Sequence, residues 1–130
     1  MKFLKENWGL IIVLLLSFIA IKPFFSAGFF PMHDDTQVVR VYEMAQALKD
    51  GHFPVRWVKD LGYGYGYPLF NFYAPLPYYI GGLINMLGIN ALDSTKIMMI
   101  LGILLSGVFM YLLAREFWGD KAGLLALFLF

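Results

Sequence analysis

The sequence predicts an all-α integral membrane protein, and three observations support this prediction. Hydrophobic residues make up 60% of the 130 residues and charged residues 15%, which is far from the balance of a soluble globular domain. Two long apolar segments occur, and each approaches the ~20 residues needed to cross a bilayer. The stretch after the first segment has the 3.6-residue periodicity of an amphipathic helix.

Charge and cysteine content exclude several classes of function. The formal net charge is +1 and no run of Lys or Arg occurs, so a nucleic-acid partner is not expected. The chain contains no cysteine, which excludes disulfides, thiolate metal sites and a cysteine nucleophile. We therefore expect a protein whose surroundings are membrane lipids.

Residues 8–26 are predicted to form the first transmembrane helix, with the ammonium group of Lys22 extending to the membrane surface. A cleaved signal peptide is the alternative, in which Lys2 and Lys5 form the charged start and Ser26 lies at the cleavage site. We favour the retained helix because a second long apolar segment follows, and because the first is rich in aromatic residues beyond the expected cleavage point.

An extracytoplasmic loop is predicted over residues 27–93, and its first element is an amphipathic helix near residues 35–50. Asp34 suits the N-cap of this helix, and Gly51 followed by Pro54 marks its end. We expect the helix to lie outside the hydrocarbon, against the membrane surface. Its expected polar face consists of Gln37, Arg40, Glu43 and Lys49.

The rest of the loop is predicted to contain a glycine-rich turn region and one short helix. Alternate glycines over residues 62–66 exclude a stable helix, whereas Pro75 and Pro77 suit the first turn of a helix near residues 76–88. At ~1.5 Å per residue this helix is about 18 Å long, and the hydrocarbon core is ~30 Å thick. We therefore expect a re-entrant or interfacial, juxtamembrane helix.

A second transmembrane helix is predicted over residues 95–115 with its cap at Asp93, and a third begins over residues 121–130. Because the third segment is too short to cross, we expect the sequence to be the N-terminal fragment of a longer polytopic protein. If the short helix stays outside, the lysines near the N-terminus share a side with Arg115 and Lys121, as the positive-inside rule prefers. This predicts a multi-pass protein of a bacterial or archaeal cell membrane with a cytoplasmic N-terminus.

The tetrapeptide from His33 to Thr36 contains the candidates for catalysis. Consecutive residues at a helix start point roughly 100° apart, so one of Asp34 and Asp35 can cap the helix while the other faces a cavity. A free carboxylate there can accept a proton from an attacking hydroxyl, or bind a divalent cation that holds a phosphate. His33 is a candidate metal ligand beside Asp34. The alternative is structural, since acidic residues commonly cap helices and complement their positive ends.

The aromatic segment after the first loop helix contains the candidates for substrate binding. Tyrosine rings exposed beside glycines can stack on sugars, and an arginine can bind a lipid phosphate. The alternative is an interfacial belt, because tyrosine rings are apolar at one end and polar at the other, with the cations Arg56 and Lys59 at head-group level. The substrate-binding candidates are Arg56, Tyr65, Tyr67, Asn71 and Tyr73.

The order of these features resembles the start of the GT-C superfamily of membrane glycosyltransferases. The first-loop motif of protein mannosyltransferases and lipid A aminoarabinose transferases reads Asp-Glu, and His33-Asp34-Asp35-Thr36 resembles it. The segment Pro75-Leu76-Pro77-Tyr78-Tyr79 resembles their Pro-Pro-Leu-Tyr-Tyr type segment. Residues 65–73, Tyr-Gly-Tyr-Pro-Leu-Phe-Asn-Phe-Tyr, are similar to a stretch in uncharacterised bacterial and archaeal membrane proteins named for a 6-pyruvoyl-tetrahydropterin-synthase-related domain.

This resemblance implies an enzyme that transfers a hexose or pentose from a polyprenyl-phosphate donor to a glycan, lipid or protein acceptor. By the same resemblance, Asp34 matches the catalytic or metal-binding acid and Asp35 the glutamate of the pair, so a divalent metal ion is a candidate cofactor. Some members bind the donor phosphate with a lysine before the proline segment, where this chain has Asn71 and Tyr73 and no cation. The alternative function is a non-catalytic membrane protein, such as a transporter or assembly subunit, with a structural acidic pair.

The predicted topology can be tested with single cysteines at positions 34, 65, 90 and 119 of this cysteine-free chain. We expect a membrane-impermeant thiol reagent applied to intact cells to label positions 34, 65 and 90, because the loop lies outside. Position 119 should stay unlabelled because it lies in the cytoplasm. Labelling at 119 without labelling at 90 would mean that the short helix crosses the membrane.

Overall fold

A computed structural model of the protein describes residues 8–29 and 34–129. Two 3₁₀ turns, Lys22–Phe25 and Leu69–Asn71, and a β-bridge between Val58 and Tyr67 accompany the helices. The predicted all-α class is confirmed, and each predicted helix has a counterpart in this part of the chain. The five α-helices there are α1 (Trp8–Ile21), α2 (Gln37–Lys49), α3 (Leu76–Met86), α4 (Ala91–Trp118) and α5 (Asp120–Leu129).

Two of the described segments are long and apolar enough to cross a membrane. They are Trp8–Phe25, with 18 residues and a mean hydropathy of 2.2, and Ala91–Trp118, with 28 residues and a mean hydropathy of 2.5. The helix α3 has 11 residues, which is about 16 Å at ~1.5 Å per residue and roughly half of what a span requires. The short helix expected in the loop is therefore present, and it is too short to be a span.

The chain forms two compact units. One consists of Met1–Ser26 with Ile100–Phe130, and we call it the helix unit. The other is Ala27–Met99, and we call it the loop unit. The described residues that are predicted to carry chemistry all belong to the loop unit.

In the helix unit, Tyr111 is buried at the turn between α4 and α5. Its ring packs so closely against Gly9 and Gly123 that a Cβ atom at either glycine would overlap it. Its hydroxyl donates to Oδ1 of Asp120 over 3.2 Å, and Nε of Arg115 lies 2.8 Å from the same oxygen. Asp120 therefore places a carboxylate at the positive N-terminus of α5, which is electrostatically favourable. The same carboxylate links α5 to α4 through its contacts with Tyr111 and Arg115.

The hydrophobic core of the loop unit lies between α2, α3 and the segment that joins them. A Cβ atom at Gly81 would lie 2.8 Å from Cγ2 of Val41. One at Gly82 would lie 3.2 Å from the backbone nitrogen of Ala45. α2 therefore approaches α3 closely at Gly81 and Gly82, where α3 has no side chains. The buried core residues are Val41, Met44, Ala47, Val55, Val58, Leu69, Phe70, Tyr78 and Met98.

Two predicted helix caps are wrong. The cap position of α2 is Thr36, not Asp34; Asp34 accepts the N–H of Thr36 at 3.0 Å, because an Asp side chain readily bonds the backbone two residues ahead and closes a turn. At the start of α4, Oδ1 of Asn90 accepts the N–H of Asp93 at 2.8 Å. Asn90 is therefore the capping residue, and Asp93 lies inside the first turn.

The predicted polar face of α2 is wrong for two of its charged residues. Arg40 is 6% exposed and Glu43 2% exposed, whereas the aromatic residue Tyr42 is 42% exposed. Partners from distant parts of the chain reach both charges, Tyr78 for Arg40 and the backbone of Asp60 for Glu43. Because a charge can be buried only if it is paired or hydrogen-bonded, these distant partners decide which face of α2 is buried.

Replacing Gly82 by Ala is expected to destabilise the loop unit. Overpacking lowers the free energy of unfolding by about 1–3 kcal/mol, and the higher helix propensity of Ala offsets ~1 kcal/mol of this. The net loss of stability is therefore about 1 kcal/mol. That loss lowers the melting temperature by about 4–8 °C in a domain of this size, which thermal denaturation in detergent measures.

Gly102→Ala is the matched control for this substitution. A Cβ atom at Gly102 would meet no described atom within 4 Å, so the melting temperature should stay unchanged or rise. If Gly82→Ala and Gly102→Ala melt at the same temperature, the close approach of α2 and α3 does not contribute to stability.

Candidate functional site

An ion pair between Asp34 and Arg40 is the centre of the candidate site. Nη2 of Arg40 lies 2.6 Å from Oδ2 of Asp34. Oδ1 of Asp34 accepts hydrogen bonds from the backbone N–H and the hydroxyl of Thr36. The side chain of Arg40 is 7% exposed and that of Asp34 is 30% exposed. The guanidinium is therefore inside the loop unit, and the carboxylate is at its surface.

Two tyrosines also contact Arg40. Nη1 donates to the hydroxyl oxygen of Tyr78 at 3.3 Å, and that hydroxyl donates to Oε1 of Gln37 at 2.7 Å. The guanidinium carbon lies 3.9 Å from the centre of the Tyr73 ring, well within the ~6 Å range of a cation–π interaction. These contacts connect α2 to α3 and hold the guanidinium in one position.

A cavity of about 270 Å³ opens beside the guanidinium, and we call it the Arg40 cavity. Apolar and aromatic side chains with a few polar groups form its wall, which is the usual composition of a small-molecule site. Its volume lies just below the roughly 300–1,000 Å³ range of such sites. The lining residues are Thr36, Val39, Arg40, Leu61, Tyr67, Leu69 and Tyr73.

The carboxylate of Asp34 is ionised at neutral pH. Hydrogen bonds from the hydroxyl and the N–H of Thr36, together with the charge of Arg40, hold the pKa of Asp34 below its ordinary value of 3.8, against an opposing effect of burial. A carboxylate with a lowered pKa is a weak proton acceptor, but it remains a good hydrogen-bond acceptor. In this arrangement Asp34 is better suited to hold a hydroxyl group than to remove its proton.

The structure brings together some of the residues predicted to bind substrate and separates others. Tyr67 and Tyr73 line the Arg40 cavity. Arg56 and Asn71 line a different cavity of about 290 Å³. Tyr65 is 89% exposed and lines neither of these two cavities. The predicted set is therefore divided between two sites and an exposed loop.

The acidic pair is divided as well. Neither acid lines the Arg40 cavity, but Asp34 is paired with Arg40 at its wall, whereas Asp35 is exposed. His33 lies outside the described residues. Across residues 8–29 and 34–129, no group of three or more His, Asp or Glu side chains is placed to hold a metal ion. Metal binding by Asp34 and His33 stays a prediction.

Arg40, Gln37 and Tyr78 are site residues that sequence reasoning missed. Polar residues recur at every third position along α2 from Gln37 to Glu43, and this spacing fits a solvated face and a buried polar face equally. The apolar residues Met44 and Ala47 lie on the same face and were the available signal that it is buried. No local pattern indicates that Tyr78, 38 residues after Arg40, is its partner.

Glu43 is a second buried charge on this face of α2. Its Oε2 accepts the N–H of Asp60 at 3.4 Å, and burial raises the pKa of Glu43 above its ordinary value of 4.5. Asp60 leads into the glycine-rich loop, whose ends are joined where Val58 and Tyr67 exchange backbone hydrogen bonds of 2.9 and 2.8 Å. Glu43 therefore holds the base of the loop that brings Tyr67 to the Arg40 cavity.

This chain is similar in sequence to part of a longer protein. The chain is 30% identical over 135 aligned positions to an uncharacterized protein of Lactococcus lactis subsp. cremoris (strain MG1363). The alignment covers 98% of this chain and 22% of that protein, so the chain spans about a fifth of its relative's length. No family model and no solved structure matches the chain. The function is therefore argued from the site itself.

Replacing Glu43 by Gln is expected to stabilise the protein at neutral pH. Because the folded-state pKa of Glu43 is raised, its contribution to stability is fully present below its unfolded value of about 4.5 and is lost as the pH rises through the folded value. Gln stays uncharged and keeps an oxygen for the N–H of Asp60. Melting temperatures should therefore coincide with wild type in acid and be higher for the variant at neutral pH.

Glu116→Gln is the control, since Glu116 is exposed and this change should leave the pH dependence of stability as it is in wild type. The interpretation of Glu43 is wrong if wild type melts at a higher temperature than Glu43→Gln at neutral pH, because that result requires a favourably paired carboxylate.

Proposed function

We propose that this chain is part of an integral membrane glycosyltransferase that transfers a sugar from a polyprenyl-phosphate donor to an extracytoplasmic acceptor. The observation that supports this most is the Asp34–Arg40 ion pair beside a cavity walled by Tyr67 and Tyr73. A cation and aromatic rings line a volume of about 270 Å³, and the carboxylate of Asp34 is paired with that cation. These are the groups that recognise a sugar phosphate.

Each group has a proposed role in the transfer. Tyr67 and Tyr73 stack on the sugar ring, Arg40 contacts the phosphate oxygens, and Asp34 accepts a hydrogen bond from the acceptor hydroxyl. The hydroxyl oxygen forms a bond to the anomeric carbon while the bond from that carbon to the phosphate oxygen breaks. The polyprenyl phosphate leaves with the bonding electrons, and the hydroxyl proton passes to Asp34.

The ion pair provides a reason why Asp34 becomes a proton acceptor only when the donor is bound. A phosphate at Arg40 competes with Asp34 for the guanidinium. As the ion pair weakens, the pKa of Asp34 rises by the part that Arg40 contributes, while the hydrogen bonds from Thr36, which are the larger cause of its lowering, remain. Donor binding therefore converts a carboxylate that is a weak base in the free protein into a better one. Arg40 supplies the cation that the segment containing Asn71 and Tyr73 lacks.

We assign the protein to a bacterial or archaeal cell membrane, with several spans, a cytoplasmic N-terminus and the loop unit outside. Two segments long and apolar enough to cross support this assignment, together with the distribution of Lys and Arg. The proposed partners are membrane lipid, the polyprenyl-phosphate sugar and a glycan, lipid or protein acceptor. A divalent metal ion held by Asp34 and His33 is a further proposal.

A non-catalytic membrane protein is the second candidate function. The observation in its favour is that both carboxylate oxygens of Asp34 already have donors within the chain, from Thr36 and Arg40. On this reading the acidic residue only fixes the start of α2, as a part of a transporter or an assembly subunit would require. The two candidates differ in whether loss of the Asp34 charge removes an activity or only stability.

Asp34→Asn is expected to lower sugar transfer at least about a hundredfold, as loss of an acid–base group typically does. The amide still accepts the hydrogen bonds of Thr36, so membrane insertion should be intact. Transfer of radiolabelled sugar by membranes containing the full-length protein measures the effect, and melting temperatures separate lost chemistry from lost folding.

Asp50→Asn is the matched control. Asp50 also pairs with a cation, with Nζ of Lys59 at 2.7 Å from its Oδ2. Lys59 does not line the Arg40 cavity, whereas Arg40, the partner of Asp34, does. This control should transfer sugar at close to the wild-type rate. Near-normal transfer by Asp34→Asn, in a protein that melts like wild type, would leave the non-catalytic function as the better explanation.

A further inference from the structure

Arg56 lies where two cavities adjoin, and these are separate from the Arg40 cavity. The cavities have volumes of about 290 and 520 Å³ and share Phe53, Pro54 and Arg56. We call the combined surface the Arg56 groove. Its residues do not line the Arg40 cavity, so Arg56 belongs to a different site from Asp34. The lining of the groove includes Phe53, Arg56, Trp57 and Tyr79.

The floor of the Arg56 groove is fixed to the core of the loop unit. The hydroxyl oxygen of Tyr79 accepts the N–H of Val55 at 2.7 Å, and the carbonyl of Arg56 accepts the N–H of Phe70 at 3.2 Å. The Phe53 and Tyr79 rings lie 5.8 Å apart. Val55 and Phe70 are buried. The backbone that presents Arg56 therefore has a defined position.

The walls of the groove combine exposed aromatic rings with unneutralised positive charge. Phe53 is 80% exposed and Trp57 55% exposed. Within the described part of the chain, the guanidinium of Arg56 has no ion-pair or hydrogen-bond partner, and no carboxylate lines either cavity. The nearby cation Lys59 is already paired with Asp50 at 2.7 Å. As far as the described residues show, the groove therefore presents one unpaired cation beside two large aromatic rings.

We propose that the Arg56 groove binds the phosphate of an anionic phospholipid, with the rings of Phe53 and Trp57 at the membrane interface. The charge of the groove matches the anionic head group, and the indole of Trp57, which is apolar except for its N–H, favours the interface. Both ends of the loop unit continue into the candidate spans, which keeps it near a bilayer. This inference rests on the membrane location in the proposed function, and it moves Arg56 from sugar binding to lipid binding.

Fluorescence quenching of Trp57 by brominated lipids tests this proposal without any sugar transfer. The full-length protein is reconstituted in phosphatidylcholine vesicles that contain a minor fraction of either brominated phosphatidylglycerol or brominated phosphatidylcholine. Bromine quenches a tryptophan that it contacts, and subtraction of Trp57→Phe data isolates the signal of Trp57. We expect the anionic brominated lipid to quench Trp57 more strongly than the neutral one.

Arg56→Gln is expected to reduce this preference by about fivefold, the contribution typical of one basic residue at an anionic surface, and Arg56→Lys should retain most of it. Lys49→Gln is the control with the same change in charge, since Lys49 is exposed and does not line the groove. It should leave the preference unchanged.

Three results would overturn the proposal. Absence of quenching by both lipids would mean that Trp57 does not contact the bilayer. An equal loss in Lys49→Gln would mean that the preference reflects overall charge and not the groove. Loss of the preference on adding inorganic phosphate, but not sodium chloride of equal ionic strength, would assign the groove to a free phosphate. Each result leaves the Asp34→Asn experiment informative, so the two proposals can fail separately.

Discussion

The buried guanidinium of Arg40 is the constraint on which the loop unit depends. Arginine stays charged, and a buried charge is tolerated only where opposite charge and hydrogen-bond partners surround it. Those partners come from three places, with Asp34 before α2, Tyr78 on α3 and Tyr73 in the segment between them. Moving any one of these elements removes one of the partners of the guanidinium, so Arg40 favours one set of relative positions for them.

The packing of α3 on α2 makes this arrangement possible. Tyr78, Gly81 and Gly82 are three and four residues apart and therefore share one face of α3. The glycines let α2 approach until a Cβ atom would contact Val41 or Met44, and at that distance the Tyr78 hydroxyl reaches Arg40. A bulkier face on α3 would hold α2 away and break the hydrogen bond that satisfies the buried charge. Apolar packing and the polar network therefore support each other.

The two basic sites of the loop unit have different physical character. Arg40 is enclosed and paired, so a ligand at its cavity has to compete with Asp34 for the guanidinium. Arg56 is exposed and, among the described residues, unpaired, so an anion can reach it without displacing a carboxylate. Substrate recognition and membrane contact, which the aromatic segment suggests as alternatives, are therefore compatible, because Tyr67 and Tyr73 line one site while Phe53 and Trp57 line the other.

The sequence by itself determined the elements of this protein, because they depend on local properties. Apolar length marks the segments Trp8–Phe25 and Ala91–Trp118, alternate glycines mark the loop before Tyr67, and prolines mark the start of α3. The tertiary structure alone decided which face of α2 is buried and which candidate residues meet. Arg40 and Tyr78 are 38 residues apart, and Gln37 and Tyr78 are 41 apart. The spacing of polar residues on α2 is equally consistent with a face exposed to water and with a face that contacts such distant partners. The local sequence shows that a buried charge would need a partner, but only the folded chain brings that partner to it.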